Sequence, residues 1–164
     1  MKRNLYLIGF SGSGKSTVGH AVAQALDWTF IDTDEEIVRR SGAEIDAIFV
    51  DIGEEGFREV EHEVLRGIAA EKHQVVSTGG GIVTGERNRH LMSETGVVVC
   101  LEARPETISG RVDPAATEPV RPMLDSDHQA RGIQELKSER QHLYALADWT
   151  VHTDRLTPES VADE

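Results

Sequence analysis

The chain has 164 residues, of which 38% are hydrophobic and 28% charged, and no low-complexity tract; this composition describes one globular domain rather than a fibre or a disordered chain. Its formal net charge of −12 argues against a general binder of nucleic acid or of anionic membrane surfaces. No apolar run approaches the ~20 residues that span a bilayer, and a single cysteine, Cys100, excludes an internal disulfide framework.

Residues 4–8, NLYLI, read as a first strand, so no signal peptide is expected at the start, and 15–26 read as a helix. Between them Gly9, Gly14, Lys15 and Ser16 match G-x-x-x-x-G-K-[ST], in the strand-to-helix context that the motif requires. Glycines there let successive backbone N–H groups turn onto phosphate oxygens at a positive helix end. Gly12, Ser13, Gly14, Lys15, Ser16 and Thr17 are therefore the candidate nucleotide-binding loop. Lys15 would reach the β- and γ-phosphates, and the Ser16 hydroxyl would join the shell of Mg2+.

A second strand, 28–32, ends in Asp32, with Asp34 two residues on where helical sequence begins and continues to about residue 51. In a parallel sheet this carboxyl end faces the same crevice as the phosphate loop. Carboxylates there can hold magnesium, directly or through water, or position an attacking hydroxyl. Asp34, Glu35 and Glu36 would equally favour the positive end of a helix. The spacing of Phe57, Val60, Val64, Leu65 and Ile68 predicts a helix over 54–71. A third strand, 74–78, runs into Gly79, Gly80 and Gly81, where three glycines suggest close backbone approach to a ligand. That strand offers no carboxylate, so the metal aspartate would be Asp32, leaving Asp34 to face the acceptor hydroxyl.

Helices are expected over 85–94, 104–112 and 127–146, and strands over 97–101 and 149–153, with Thr157 as an N-cap and Pro158 in the first turn of a last helix. Residues 113–126 hold three of the five prolines and no periodicity, and read as a mobile lid. Strands alternating with helices imply an α/β fold, a three-layer α/β/α sandwich around a five-stranded parallel sheet, in a single domain over 1–164. The seven histidines show no ligand spacing, so no zinc is expected; Tyr144 reads as a packing residue. A lone Cys100 in a buried-strand pattern points to a reducing cytoplasm.

With these pieces in place the sequence resembles the shikimate kinase family of P-loop kinases over nearly its whole length. GFSGSGKSTVG looks like that family's phosphate loop, DTD at 32–34 like its aspartate pair, and STGGG like its glycine triplet. GEEGFREVE at 53–61 resembles G-E-x-x-F-R-x-x-E, RPML at 121–124 the lid R-P-L-L with Met123 as a departure, and ERQHLYALAD at 139–148 R-x-x-x-Y-x-x-x-A-D. The resemblance implies ATP-dependent, magnesium-assisted phosphorylation of the shikimate 3-hydroxyl in chorismate biosynthesis. It assigns Arg58, Glu61 and Arg140 to the substrate carboxylate side, with Asp34, Gly79, Gly80 and Gly81 beside the ring. Arg121 would be the catalytic lid arginine, with Lys15 and Asp34, and Arg111 and Arg155 would face the adenine. A monomer with small-molecule partners alone is expected. The alternatives are another small-molecule kinase of the same fold, acting on gluconate or a nucleotide, and a regulatory module that binds nucleotide without catalysis.

Overall fold

Side-chain alternation along the first strand, β1 (Asn4–Ile8), divides the interior in two: Tyr6 and Ile8 enter one core, Leu5 and Leu7 the other. In the computed structural model, which describes residues 4–111 and 129–163, β1 is the middle of a five-stranded sheet. The other strands are β2 (Thr29–Asp32), β3 (Gln74–Ser77), β4 (Gly96–Glu102) and β5 (Trp149–His152), in the order β2-β3-β1-β4-β5 with every pair parallel. Helices α1 (Lys15–Leu26), α2 (Thr33–Ser41), α3 (Ile45–Ala69), α4 (Glu86–Thr95), α5 (Pro105–Arg111), α6 (Gln129–Tyr144) and α7 (Pro158–Asp163) complete the alternation, with a 3-10 turn at Ile82–Thr84.

Phe57, Val64, Leu65 and Ile68 of α3, Met92 of α4 and Tyr144 of α6 pack on the Tyr6 face. Val18 and Ala23 of α1 and Val161 of α7 pack on the Leu7 face. This is the three-layer α/β/α arrangement read from the sequence. Thr157 Oγ1 accepts from Ser160 N at 3.2 Å, which is the expected cap ahead of Pro158.

The helical sequence expected through about residue 51 and the helix expected over 54–71 meet at Gly53 as the two halves of α3. Gly53 adopts φ 71°, ψ −179°, outside the helical region, so α3 is two helical stretches joined at a sharp kink there. A left-handed φ without steric need for space is the place where glycine costs least. The periodicity of the second half was readable because Phe57, Val64, Leu65 and Ile68 bury one stripe; the first half buries only Ile45 and Ile48. Residues 113–126, the expected lid, lie outside the described residues. Among the described residues no helix is long and apolar enough to cross a membrane. Cys100 is 2% exposed on β4, and burial pushes its thiol up to about 11.

Candidate active site

The carboxyl ends of β1, β2, β3 and β5 gather their loops on one rim of the sheet. After β1, Ser13 N donates to Phe10 O at 3.1 Å and closes the glycine loop on itself. Gly14 takes φ 98°, ψ 16° and serves as the N-cap of α1, with no side chain bonded to the helix's first N–H groups. A helix start capped by glycine presents its positive end to an anion. Lys15 is 8% exposed, and its Nζ donates to Gly9 O at 2.9 Å and Phe10 O at 3.0 Å, which holds the ammonium within the loop.

Asp32 divides its two oxygens. Oδ1 caps α2, accepting from Asp34 N at 2.9 Å and Glu35 N at 3.3 Å, while Oδ2 accepts from Ser16 Oγ at 3.0 Å. Capping and metal binding, which competed as readings of this aspartate, therefore fall on different atoms. A hydroxyl and a carboxylate oxygen together at the phosphate loop are hard donors of the kind Mg2+ takes alongside phosphate oxygens, so the residues present fit that ion. Ser77, at the end of β3, adds a hydroxyl 3.3 Å from Ser16 Oγ.

The glycine triplet is wedged between the aspartates and the loop. Gly79 N donates to Thr33 Oγ1 at 2.9 Å, and a Cβ on Gly79 would stand 2.7 Å from Asp34 Oδ1. A Cβ on Gly80 would stand 3.3 Å from Ser11 N of the phosphate loop. From the far side Tyr144 Oη donates to Gly80 O at 2.8 Å. Arg140 lies four residues before Tyr144, one turn along α6 and half-buried.

Arg58 and Glu61 form a tight pair on α3. Arg58 Nη1 donates to both Glu61 oxygens, at 3.1 and 2.9 Å, and Glu61 is fully buried; the exposed Glu54 lies 3.6 Å from Nη2. The side chain of Arg58 is 18% exposed, so it is not a solvated helix arginine although it pairs with Glu54 and Glu61. It lines a cavity of about 340 Å³ with His62, Thr84, Arg87 and Asn88.

On the nucleotide side, Arg111 ends α5 and reaches back to the loop. Its Nη1 donates to Ser13 O at 3.3 Å and Thr153 Oγ1 at 3.1 Å, and its Nη2 to Thr153 O at 2.7 Å. Thr153, 3% exposed, donates its own hydroxyl to Ser13 O at 3.0 Å. Sequence reading passed over Thr153 and Thr33, since a lone threonine beside a strand end carries no signal. Asp154 accepts from Arg104 N at 2.8 Å and Thr107 Oγ1 at 2.7 Å, bonds that hold its carboxyl below the usual range and fasten this turn to α5. Arg155 is exposed and lines a cleft of about 450 Å³ with Glu102, Arg104, Lys137, His152 and Asp154; no phosphate-loop residue lines that cleft. Arg121 lies outside the described residues.

Lys15, Ser16, Asp32, Asp34, Gly79 and Gly80 are thus one connected group, with Arg111 joined to it through Ser13. The shikimate kinase family model matches residues 11–164. A shikimate kinase of Thermodesulfovibrio yellowstonii is 40% identical over 162 residues, covering 99% of this chain and 92% of the relative. One from Vibrio parahaemolyticus is 41% identical over 164 residues, covering 99% and 94%. Among solved structures, shikimate kinase from Acinetobacter baumannii in complex with shikimate superposes with a TM-score of 0.91 at 35% identity, covering 99% of this chain and 90% of that one. A more distant sugar kinase from Janibacter, at 20% identity and TM-score 0.58, shares the fold alone. On its sequence and its fold, the chain belongs to the shikimate kinase family.

Proposed function

We propose that this enzyme transfers the γ-phosphoryl group of ATP to the 3-hydroxyl of shikimate, giving shikimate 3-phosphate and ADP. One observation carries the reading: the glycine triplet touches the Asp34 side chain at Gly79 and the phosphate loop at Gly80, so acceptor and donor share a wall. A ring lying on that wall would have its hydroxyl beside a carboxylate and within reach of a bound triphosphate.

Phosphoryl transfer asks mainly for positioning and for neutral surroundings to the developing charge. The N–H groups at the start of α1 bind the phosphate oxygens, and the Lys15 ammonium, held at the loop, follows the charge on the γ-phosphoryl group. An Asp34 carboxylate oxygen accepts the hydrogen bond of the acceptor hydroxyl and aims its lone pair at phosphorus. The new O–P bond forms as the bond to the β–γ bridging oxygen breaks, and the hydroxyl proton leaves towards Asp34. Arg58, braced by Glu61, and Arg140 grip the substrate carboxylate, each charge-assisted hydrogen bond contributing about 1.5–3 kcal/mol. When bound, Mg2+ neutralises the β- and γ-phosphate oxygens, and Ser16 and Asp32 would hold it. The resemblance gives Arg121 a share of the same charge, and Arg111 and Arg155 the adenine. A monomer acting in the cytoplasm fits an acidic chain with one buried thiol.

A coupled ADP-release assay offering shikimate, gluconate, nucleoside monophosphates or no acceptor tests the proposal. ADP should appear with shikimate and magnesium together. Release with gluconate or a nucleotide instead would give the site to another small-molecule kinase, and no ADP with any acceptor would leave a nucleotide-binding module.

A further inference from the structure

The peptide joining Gly80 to Gly81 is planar and trans, so its C=O and its N–H point in opposite directions. The carbonyl direction is fixed: Tyr144 Oη donates to Gly80 O at 2.8 Å, with Tyr144 3% exposed and ring and peptide both buried. The N–H of Gly81 therefore points away from α6, and among the described residues it has no hydrogen-bond partner. Of its neighbours in the triplet, Gly79 N is bonded to Thr33 Oγ1, and a Cβ on Gly80 would stand 3.3 Å from Ser11 N of the phosphate loop. A buried N–H is nearly always paired, so a lone one on the wall between donor and acceptor is a donor kept for a ligand.

We infer that Tyr144 is a positioning residue for the acceptor: by holding the Gly80 carbonyl it aims the Gly81 amide at the bound substrate, and it ties that aim to the helix that carries Arg140. The inference rests on the function proposed above. Tyr144 does not touch substrate; it acts through one peptide plane. Without the phenol oxygen the plane is free to rotate about the flanking glycine bonds, and glycines resist such rotation least. The substrate would then lose a hydrogen-bond donor while the phosphate loop, closed by its own bonds, is unchanged.

Tyr144→Phe keeps the ring in the core and removes only the hydroxyl. Its shikimate KM should rise about five- to tenfold, the loss of about 1–1.4 kcal/mol expected for one hydrogen bond, with the ATP KM within twofold. Glycine-labelled protein gives a second reading: in the wild type the Gly81 amide proton should move downfield on adding shikimate without nucleotide, and in Tyr144→Phe this shift should shrink. A merely structural tyrosine would lower the melting temperature and leave both KM values and the amide shift alone, which would overturn the inference. A wild-type protein that neither binds nor phosphorylates shikimate would overturn the proposed function instead. A wild type active on shikimate with an unaltered Tyr144→Phe sinks only the role of Tyr144.

Discussion

Gly79→Ala should cripple catalysis while leaving the fold standing. The added methyl would sit 2.7 Å from Asp34 Oδ1, whereas ordinary contacts begin at 3.4 Å, so the carboxylate must retreat by about 0.7 Å. The nearest obstacle is the far end of a side chain, and Gly79 lies outside the left-handed region, so the backbone can stay in place. The bond from Gly79 N to Thr33 Oγ1 is a backbone bond and survives. Since a displacement of about 1 Å in a reacting group can cost ~10²-fold in rate, kcat should fall roughly 10- to 100-fold, or about 1.4–2.7 kcal/mol. The melting temperature should drop by less than about 4 °C, the shift that ~1 kcal/mol produces in a chain of this size. Steady-state rates at saturating ATP and shikimate, with a thermal melt of the same preparation, measure both. A variant with wild-type kcat would show that the Asp34 carboxylate need not stand where the glycine lets it stand. Gly9→Ala makes the contrast: its methyl would meet the backbone oxygen of Leu101 at 2.3 Å from a φ of 143°, and that variant should lose the fold itself.

Arg58→Ala and Arg140→Ala should each raise the shikimate KM by roughly tenfold or more with the ATP KM little changed, the loss of a charge-assisted bond of about 1.5–3 kcal/mol; calorimetry showing intact shikimate binding in both would refute the clamp. Asp32→Asn should raise the magnesium requirement, with excess metal restoring part of the rate, whereas Asp34→Asn should stay inactive at every magnesium concentration while still binding ATP. Rescue of the second and not of the first would reverse the two assignments. The Arg39 guanidinium, with Arg40 beside it, holds the Glu36 carboxyl down at about 2 against an ordinary 4.5. A lowered folded-state value means stability that is complete above the ordinary value and lost as pH falls from about 4.5 towards 2. Glu36→Gln should therefore show a smaller loss of melting temperature over that window, modest because Arg39 is mostly exposed; an unchanged acid limb would refute it.

The sequence disclosed what repeats and what is chemically narrow. The apolar run of β1, the stripe from Phe57 to Ile68 and the glycine loop each place several residues under one physical constraint, and each was legible. Asp32 and Asp34 were legible as a pair because the sheet's carboxyl end has to face the loop. What stayed hidden were single side chains whose work depends on partners far along the chain: Thr153 on Ser13, Thr33 on Gly79, Tyr144 on Gly80. A threonine or tyrosine in such a place is, in one dimension, the same as one that merely packs. The break at Gly53 was legible as the gap between two helical patterns, one to about residue 51 and one from 54, while its left-handed backbone was not.

The thiol on β4 gives the molecule a practical property. Cys100 is the chain's one cysteine, 2% exposed, and at neutral pH almost none of it is thiolate because burial raises its ionisation to about 11. Maleimides and disulfide reagents will therefore pass the native protein by. Any cysteine introduced at the surface becomes the sole handle for a dye or spin label, with no background thiol to remove first. Exposed positions such as Val50, which is 84% exposed ahead of the Gly53 kink, can be paired with a second label on α6 to report distances in the working enzyme.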